Sequence, residues 1–162
     1  MSTLLENFSD RSKMLIFLTR KDAGRRGATA LEPGDLLEAI INEDQGELAK
    51  RFAGAGTPSG PIRAPEPFFL AEVASKTLLG LHNILPQQEP VADSVDMPMS
   101  PSLEHILNAA TTLAEELNHS QVQPLHLVAA ILVEESSGPA EILRDAGISK
   151  EAVMQALRSQ LA

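Results

Sequence analysis

Residues 100–117 read SPSLEHILNAATTLAEEL, and apolar side chains recur along this stretch every three or four residues. That spacing places them on one face of an α-helix. Ser100 followed by Pro101 is a typical helix start, because serine caps the first turn and proline fits the first helical position. The stretch therefore predicts an amphipathic helix with a buried face of Leu103, Ile106, Leu107, Ala110, Leu113, Ala114 and Leu117.

Other segments of the chain carry the same helical signals. Pro124 and Pro139 mark two further helix starts, and Gly147 is placed as the left-handed residue that ends a helix. Another helix is predicted from Pro67 to Leu85. No stretch alternates polar and apolar residues with the period of a strand. The chain is therefore predicted to be all-α, with about eight helices.

An internal repeat relates the first region, Phe8–Phe52, to the second when 91 is added to each position, without a gap. Helical patterning alone produces some matches, but a shared proline at one helix start is harder to obtain by chance. The repeat is therefore predicted to be a duplication. The identical pairs are Ser9/Ser100, Ala23/Ala114, Pro33/Pro124, Leu36/Leu127, Ala39/Ala130, Ile40/Ile131, Glu43/Glu134 and Ala49/Ala140.

The duplication predicts how the chain is organised. Neither copy can bury its apolar stripe alone, so two copies of a four-helix unit are expected to pack together with pseudo-two-fold symmetry. Residues 1–162 then form a single domain. Residues 8–85 hold the first repeat with an extra linker and a long helix, 86–99 are a linker, and 100–162 are the second repeat. The seam between the copies is the natural groove for a ligand.

Composition excludes several classes of function. The 162 residues include no Cys, Trp or Tyr, so disulfides, thiolate catalysis and aromatic cages are excluded. The net charge of −9 argues against nucleic-acid binding, although Arg20, Lys21, Arg25 and Arg26 form a local basic cluster. No apolar run is long enough for a membrane span, and acidic residues stand where a signal peptide would be basic. A cytoplasmic protein without membrane contact is expected.

Residues 117–128 read LNHSQVQPLHLV, which resembles the signature L-G-H-x-x-I-G-T-E-H-L-L of the Clp N-terminal (repeat) domain family. Residues 140–148, AEILRDAGI, look like the family's later A-x-x-I-L-x-x-x-G-I segment, and residues 8–11, FSDR, resemble its opening F-T-E-R. The resemblance implies a duplicated four-helix domain of the kind found at the front of the AAA+ unfoldases ClpA, ClpB and ClpC. There it docks adaptors and substrates and is not catalytic.

Two departures from the family pattern limit this inference. No G-x-x-x-x-G-K-[ST] loop is present, so the chain is either a free-standing relative or a piece of a larger protein. The Glu of G-T-E-H, which in ClpC-like relatives helps to capture phosphoarginine, is Gly34 in the first copy and Leu125 in the second. Because a charged arginine derivative needs a carboxylate partner, phosphoarginine recognition is not expected unless Glu32 and Asp35 point the same way and replace it.

Six residues are predicted to contact a partner. Phe68 and Phe69 are adjacent in a helix, so both cannot face one side; either one is exposed as an anchor or both are buried against the linker. His126 matches the family's histidine at a helix start, where packing or capping is the simpler interpretation. The predicted partner-binding residues are Glu32, Asp35, Phe68, Phe69, Gln123 and His126.

No catalytic, cofactor or metal site is predicted. The four histidines lack ligand spacing, there is no G-x-S-x-G elbow, and Gly24–Gly27 is expected to end a helix rather than bind phosphate. The predicted function is a non-enzymatic module that binds an adaptor, an unfolded substrate or a Clp AAA+ ATPase. The alternative is a free-standing regulator that uses the same scaffold outside proteolysis.

Overall fold

The computed structural model describes residues 5–44, 68–92, 95–134 and 137–159, and this part of the chain contains seven helices and no strand. The predicted all-α class with a duplicated helical motif is confirmed. The positions that the offset of 91 pairs with α6, and the predicted loop after Phe52, lie outside the described residues. The helices are α1 (Asp10–Arg25), α2 (Pro33–Asp44), α3 (Ala71–Ile84), α4 (Pro101–Glu116), α5 (Pro124–Val133), α6 (Gly138–Asp145) and α7 (Lys150–Ser159).

The two repeats begin and end their first helices in the same way. The side chain of Ser9 accepts from the N–H of Ser12, and that of Ser100 accepts from the N–H of Leu103, both at 3.1 Å. These serines cap α1 and α4, which are both 16 residues long. After each helix one residue adopts a left-handed backbone, Gly27 with φ 75° and its equivalent Asn118 with φ 60°.

In each repeat, the backbone that leads into the first helix pairs with a residue of the other repeat. Phe8 forms an isolated parallel bridge with Val122, and Leu31 forms one with Met99. The N–H of Ser9 donates to the carbonyl of Val122 at 3.0 Å, and the N–H of Ser100 donates to that of Leu31 at 2.9 Å. Adding 91 to Phe8 gives Met99, and adding 91 to Leu31 gives Val122. The two bridges therefore join equivalent positions and are related by the pseudo-two-fold symmetry of the repeats.

One hydrophobic core contains both repeats. Equivalent side chains such as Leu36 and Leu127, or Ile40 and Ile131, are buried in the same cluster. Helix α3 contacts α2 and α6. It buries Ala74, Thr77 and Leu81 on one face.

Helix α3 begins at Ala71, later than the predicted start at Pro67. The carboxylate of Asp44 explains the difference, because it accepts from the backbone N–H of Phe68 at 2.8 Å and of Phe69 at 2.9 Å. These bonds hold both residues in a bend before the helix. The sequence contains no local signal for this contact, since Asp44 lies 24 residues earlier.

The described residues of the predicted linker, 86–92 and 95–99, cross the end of α1, and we call them the crossing segment. The N–H of Gln88 donates to the carbonyl of Arg26 at 2.6 Å, and that of Val91 donates to Gly24 at 2.8 Å. The guanidinium of Arg20 donates to the carbonyls of Ala92 and Val95 at 2.8 and 2.6 Å. The described part of this segment is therefore fixed to the first repeat.

Candidate functional site

A groove of about 350 Å³ lies at the seam where the two repeats meet, and we call it the seam groove. Helices α2, α4 and α6 begin beside it, so backbone N–H groups of their first turns point toward this region. Its floor is the buried side chain of Ile106. The seam groove is lined by Pro33, Pro101, Ser102, His105, Ile106, Glu134 and Ser137.

The wall of the seam groove carries a contact between a histidine and a glutamate. His105 Nε2 lies 2.7 Å from Glu134 Oε1, and both side chains are accessible to solvent. At the equivalent place in the first repeat, Glu43 pairs instead with Arg11 at 2.5 and 3.0 Å. A small apolar group flanked by hydrogen-bonding atoms fits the chemistry of the seam groove.

Asp35, a predicted partner-binding residue, points into the protein. Its carboxylate accepts two hydrogen bonds from the Arg26 guanidinium, at 2.7 and 2.8 Å, and one from the N–H of Glu32 at 3.0 Å. This hydrogen bonding raises the pKa of Arg26 above its usual value. Asp35 is fully buried, so its carboxylate is occupied within the chain. Glu32 is half-buried beside it.

The two positions that lack the signature Glu both pack against neighbouring side chains. A Cβ placed on Gly34 would lie 2.9 Å from a methyl carbon of Leu85. A side chain at this position therefore requires the Leu85 side chain to move. Leu125 is half-buried and packs against the core. The inward direction of Asp35 also prevents it from replacing that Glu.

His126 caps the start of α5. Its Nδ1 accepts from the N–H of Gln123 at 2.8 Å, and its Nε2 lies 2.7 Å from Nδ1 of His119. Because Nδ1 is an acceptor, neutral His126 carries its proton on Nε2 and donates to His119. Burial and the neighbouring His119 lower the pKa of His126 to about 4. Asp35 is its equivalent in the first repeat, so both repeats use this position as a cap.

The two histidines do not form part of a larger ligand set. No group of three or more His, Cys, Asp or Glu side chains arranged for a metal is found among the described residues. The sequence analysis predicted a packing or capping role for His126, and the hydrogen bond to Gln123 provides one. Gln123 itself is half-buried at the N-cap of α5.

Phe68 and Phe69 meet edge to face, with ring centroids 5.1 Å apart. Phe69 is 2% exposed, and Phe68 is half-buried against the core. The structure therefore places Phe69 in the core, and neither ring is among the strongly exposed apolar side chains of the described residues.

Sequence analysis missed a mixed apolar and basic surface on α1. Met14 is 37% exposed and Phe17 is 53% exposed, and Lys21 Nζ lies 5.6 Å from the centre of the Phe17 ring. Lys13 is exposed on the same side of the helix. We call these four residues the α1 stripe. The offset of 91 could have revealed it, because Met14 and Phe17 align with the polar His105 and Asn108.

Within the described residues, no helix combines the length and apolar character needed to cross a membrane.

Comparison with known proteins identifies the fold and the second repeat. Residues 98–162 match the Clp repeat (R) N-terminal domain family. The Hsp104 N-terminal domain from Candida albicans is similar, with a TM-score of 0.66 and 20% identity over 96% of this chain and 93% of that one. The N-terminal domain of ClpD, a caseinolytic protease associated chaperone from Arabidopsis thaliana, is also similar. Its TM-score is 0.61 and its identity is 18%, over 94% of this chain and 95% of that one.

A structure described as part of a malarial protein secretion system gives a TM-score of 0.71 and 18% identity, covering 94% of this chain and 92% of that chain. Likeness at such identities concerns the fold, whereas the family match concerns the sequence of the second repeat. Residues 98–162 thus match the Clp repeat (R) N-terminal domain family, and the described part of the chain has the fold of Clp N-terminal domains.

Proposed function

We propose that this chain is a non-catalytic module that binds proteins or peptides, and that it docks an adaptor or substrate or regulates a Clp AAA+ ATPase. The match of residues 98–162 to the Clp repeat family carries this proposal. The family's domains, as the sequence resemblance implies, recruit partners for an ATPase ring. Fold alone does not fix function, so the proposal also needs a surface on this chain that can receive a partner.

The seam groove supports the proposal as that surface. It is concave and lies between the repeats, where apolar floor and polar rim meet. A side chain or chain end of a partner can enter beside the His105–Glu134 pair. His126 is buried and serves as a helix cap, so its lowered pKa is explained without catalysis.

The test is capture from native lysate on the immobilised chain, followed by mass spectrometry and competition with free chain. Recovery of a Clp ATPase or its adaptor is the expected result. Ser102→Trp fills the seam groove and should abolish recovery. Ser75→Trp, which alters an exposed serine on α3, is the matched control and should leave it unchanged.

The alternative is a regulator that uses the same scaffold outside proteolysis. Fold does not fix function, so the same scaffold can serve a different process. Recovery of unrelated proteins that depends on Ser102, with no Clp component, would support this alternative. Equal recovery by both Trp variants would show that the seam groove is not the docking surface.

A further inference from the structure

The duplication supplies an internal control for the surface of α1. The fold treats α1 and α4 alike, since both span 16 residues and begin at a capping serine. Lys13, Met14 and Phe17 are exposed, and so are their equivalents Glu104, His105 and Asn108. Any chemical difference between these faces is therefore not required by the architecture.

The difference in charge between the two faces is large. Residues 11–26 contain six of the chain's 13 basic residues and one acidic residue, Asp22. The equivalent residues 102–117 contain three acidic residues and no Lys or Arg. The chain as a whole carries −9, so the basic character of α1 runs against the composition of the molecule.

Several basic side chains in residues 11–26 form ion pairs within the fold. Arg11 pairs with Glu43, Arg25 with Asp22, and Arg26 with Asp35. Lys13 and Lys21 border Met14 and Phe17, because residues three or four apart share a helix face. Arg20 instead donates to the carbonyls of Ala92 and Val95 in the crossing segment. The positive charge is thus placed around the exposed Met14 and Phe17.

Exposed apolar side chains bordered by charge are typical of a docking surface for an amphipathic helix. Met14 and Phe17 are one turn apart, which matches the spacing of anchors in such contacts. The second repeat has His105 and Asn108 at these positions, so the fold tolerates polar residues there. Methionine and phenylalanine are also residue types that are enriched at protein interfaces.

We infer that the α1 stripe is a docking site for an amphipathic segment of a partner protein, apolar on one face and bordered by Asp and Glu. This inference rests on the proposed function, and it names the chemistry of the partner and a second contact surface apart from the seam groove. The apolar face covers Met14 and Phe17, and the carboxylates face Lys13 and Lys21. Association is then faster and tighter at low salt.

The test uses the full chain labelled with ¹⁵N and two synthetic 14-residue helical peptides. Both peptides carry Leu at positions i, i+3, i+4 and i+7; one has Glu on the flanking positions and the other has Lys. The Glu peptide should shift the amide signals of residues 13–21 and bind about tenfold or more tightly than the Lys peptide, with affinity that falls as salt is added.

The double variant Met14→His, Phe17→Asn installs the residues of the second repeat and should weaken the Glu peptide about tenfold or more. Leu79→Asn is the matched control, because Leu79 is 65% exposed on α3, away from α1. The melting temperature of each variant verifies that the fold is kept. Equal binding of the two peptides, or equal loss in the control, would overturn the inference.

Two further outcomes separate this inference from the proposed function. If the Clp component captured from lysate is lost with Ser102→Trp but retained with the α1 double variant, and the Glu peptide does not bind, the inference fails and the proposed function stands. If the unmodified chain self-associates and the double variant is monomeric, the stripe is a contact between copies, and the inference is overturned.

Discussion

At the scale of single residues, the same helix position holds a different polar side chain in each repeat. Asp35 and His126 both accept the backbone N–H of the N-cap residue, at 3.0 and 2.8 Å. Asp35 also forms an ion pair with the buried guanidinium of Arg26, whereas His126 also forms a hydrogen bond with the imidazole of His119. The cap is therefore kept through the duplication, and its second partner has diverged.

Removing one partner of the buried Arg26–Asp35 pair should destabilise the chain by about 3–5 kcal/mol, because the other is left without its counterion. We expect this cost for Asp35→Asn and for Arg26→Leu, measured by urea unfolding. The double variant should recover part of the loss, since the second repeat has Leu117 at the position of Arg26. Strictly additive effects would contradict the direct coupling of these side chains.

His126 should make stability depend on pH in the acidic range. Its pKa is about 4 in the folded chain and about 6.5 when unfolded, so unfolding takes up a proton between these values. The free energy of unfolding should therefore fall as pH is lowered from about 6.5 to 4. His126→Asn keeps an acceptor for Gln123 and should reduce this slope, as followed by urea midpoints at several pH values.

His82→Asn serves as the control for that experiment, because His82 is exposed on α3. It should leave the slope of stability against pH in place. If the slope is unchanged in His126→Asn but lost in His82→Asn, the pH dependence comes from His82 and the prediction is wrong.

At the scale of helices and turns, two glycines with positive φ allow the cost of backbone strain to be measured apart from the cost of steric overlap. Gly147 has φ 98° with nothing within 4 Å of an added Cβ, whereas Gly27 has φ 75° and its Cβ would overlap the carbonyl of Glu89. Gly147→Ala should cost about 1–2 kcal/mol from strain alone. Gly27→Ala should cost more, because the crossing segment must also move.

Gly27→Asn tests the separation further. Asparagine tolerates the left-handed region, as Asn118 does with φ 60° at the equivalent position, but its Cβ still meets the crossing segment. Thermal unfolding should therefore rank Gly27→Asn as more harmful than Gly147→Asn. Equal losses would mean that the crossing segment yields easily.

Features encoded locally could be predicted from the sequence. Ser100–Pro101 gave the start of α4, Pro124 gave that of α5, and the offset of 91 gave the duplication. Features that depend on distant contacts could not. The bend at Phe68–Phe69 depends on Asp44, and the crossing segment depends on carbonyls near the end of α1.

The candidate site was less predictable than the fold for a physical reason. A polar residue at a helix start has the same sequence pattern whether it caps the helix or binds a ligand. Asp35 and His126 are buried caps, and Phe69 is in the core, so these side chains are used within the fold. The prediction that Glu32, Phe68 and Gln123 contact a partner remains to be tested by substitution.

At the scale of the whole molecule, the exchanged bridges make each repeat depend on the other. We expect that residues 98–162 alone lack a fixed fold, because Met99 and Val122 lose Leu31 and Phe8 and half of the common core is absent. The measurement is a ¹H–¹⁵N spectrum of that fragment beside the full chain. Narrow amide dispersion is expected, and a well-dispersed spectrum would show that the second repeat folds independently.

The bridge between Phe8 and Val122 also sets an order of events during biosynthesis. A ribosome adds about 5–20 residues per second, so Phe8 is made roughly ten seconds before Val122. Until then the residues leading into α1 lack their bridge partner in the second repeat, so the first repeat cannot finish folding as it emerges. The nascent chain therefore has to keep its early apolar surface shielded until the last third has been translated, which makes translation speed a determinant of its yield.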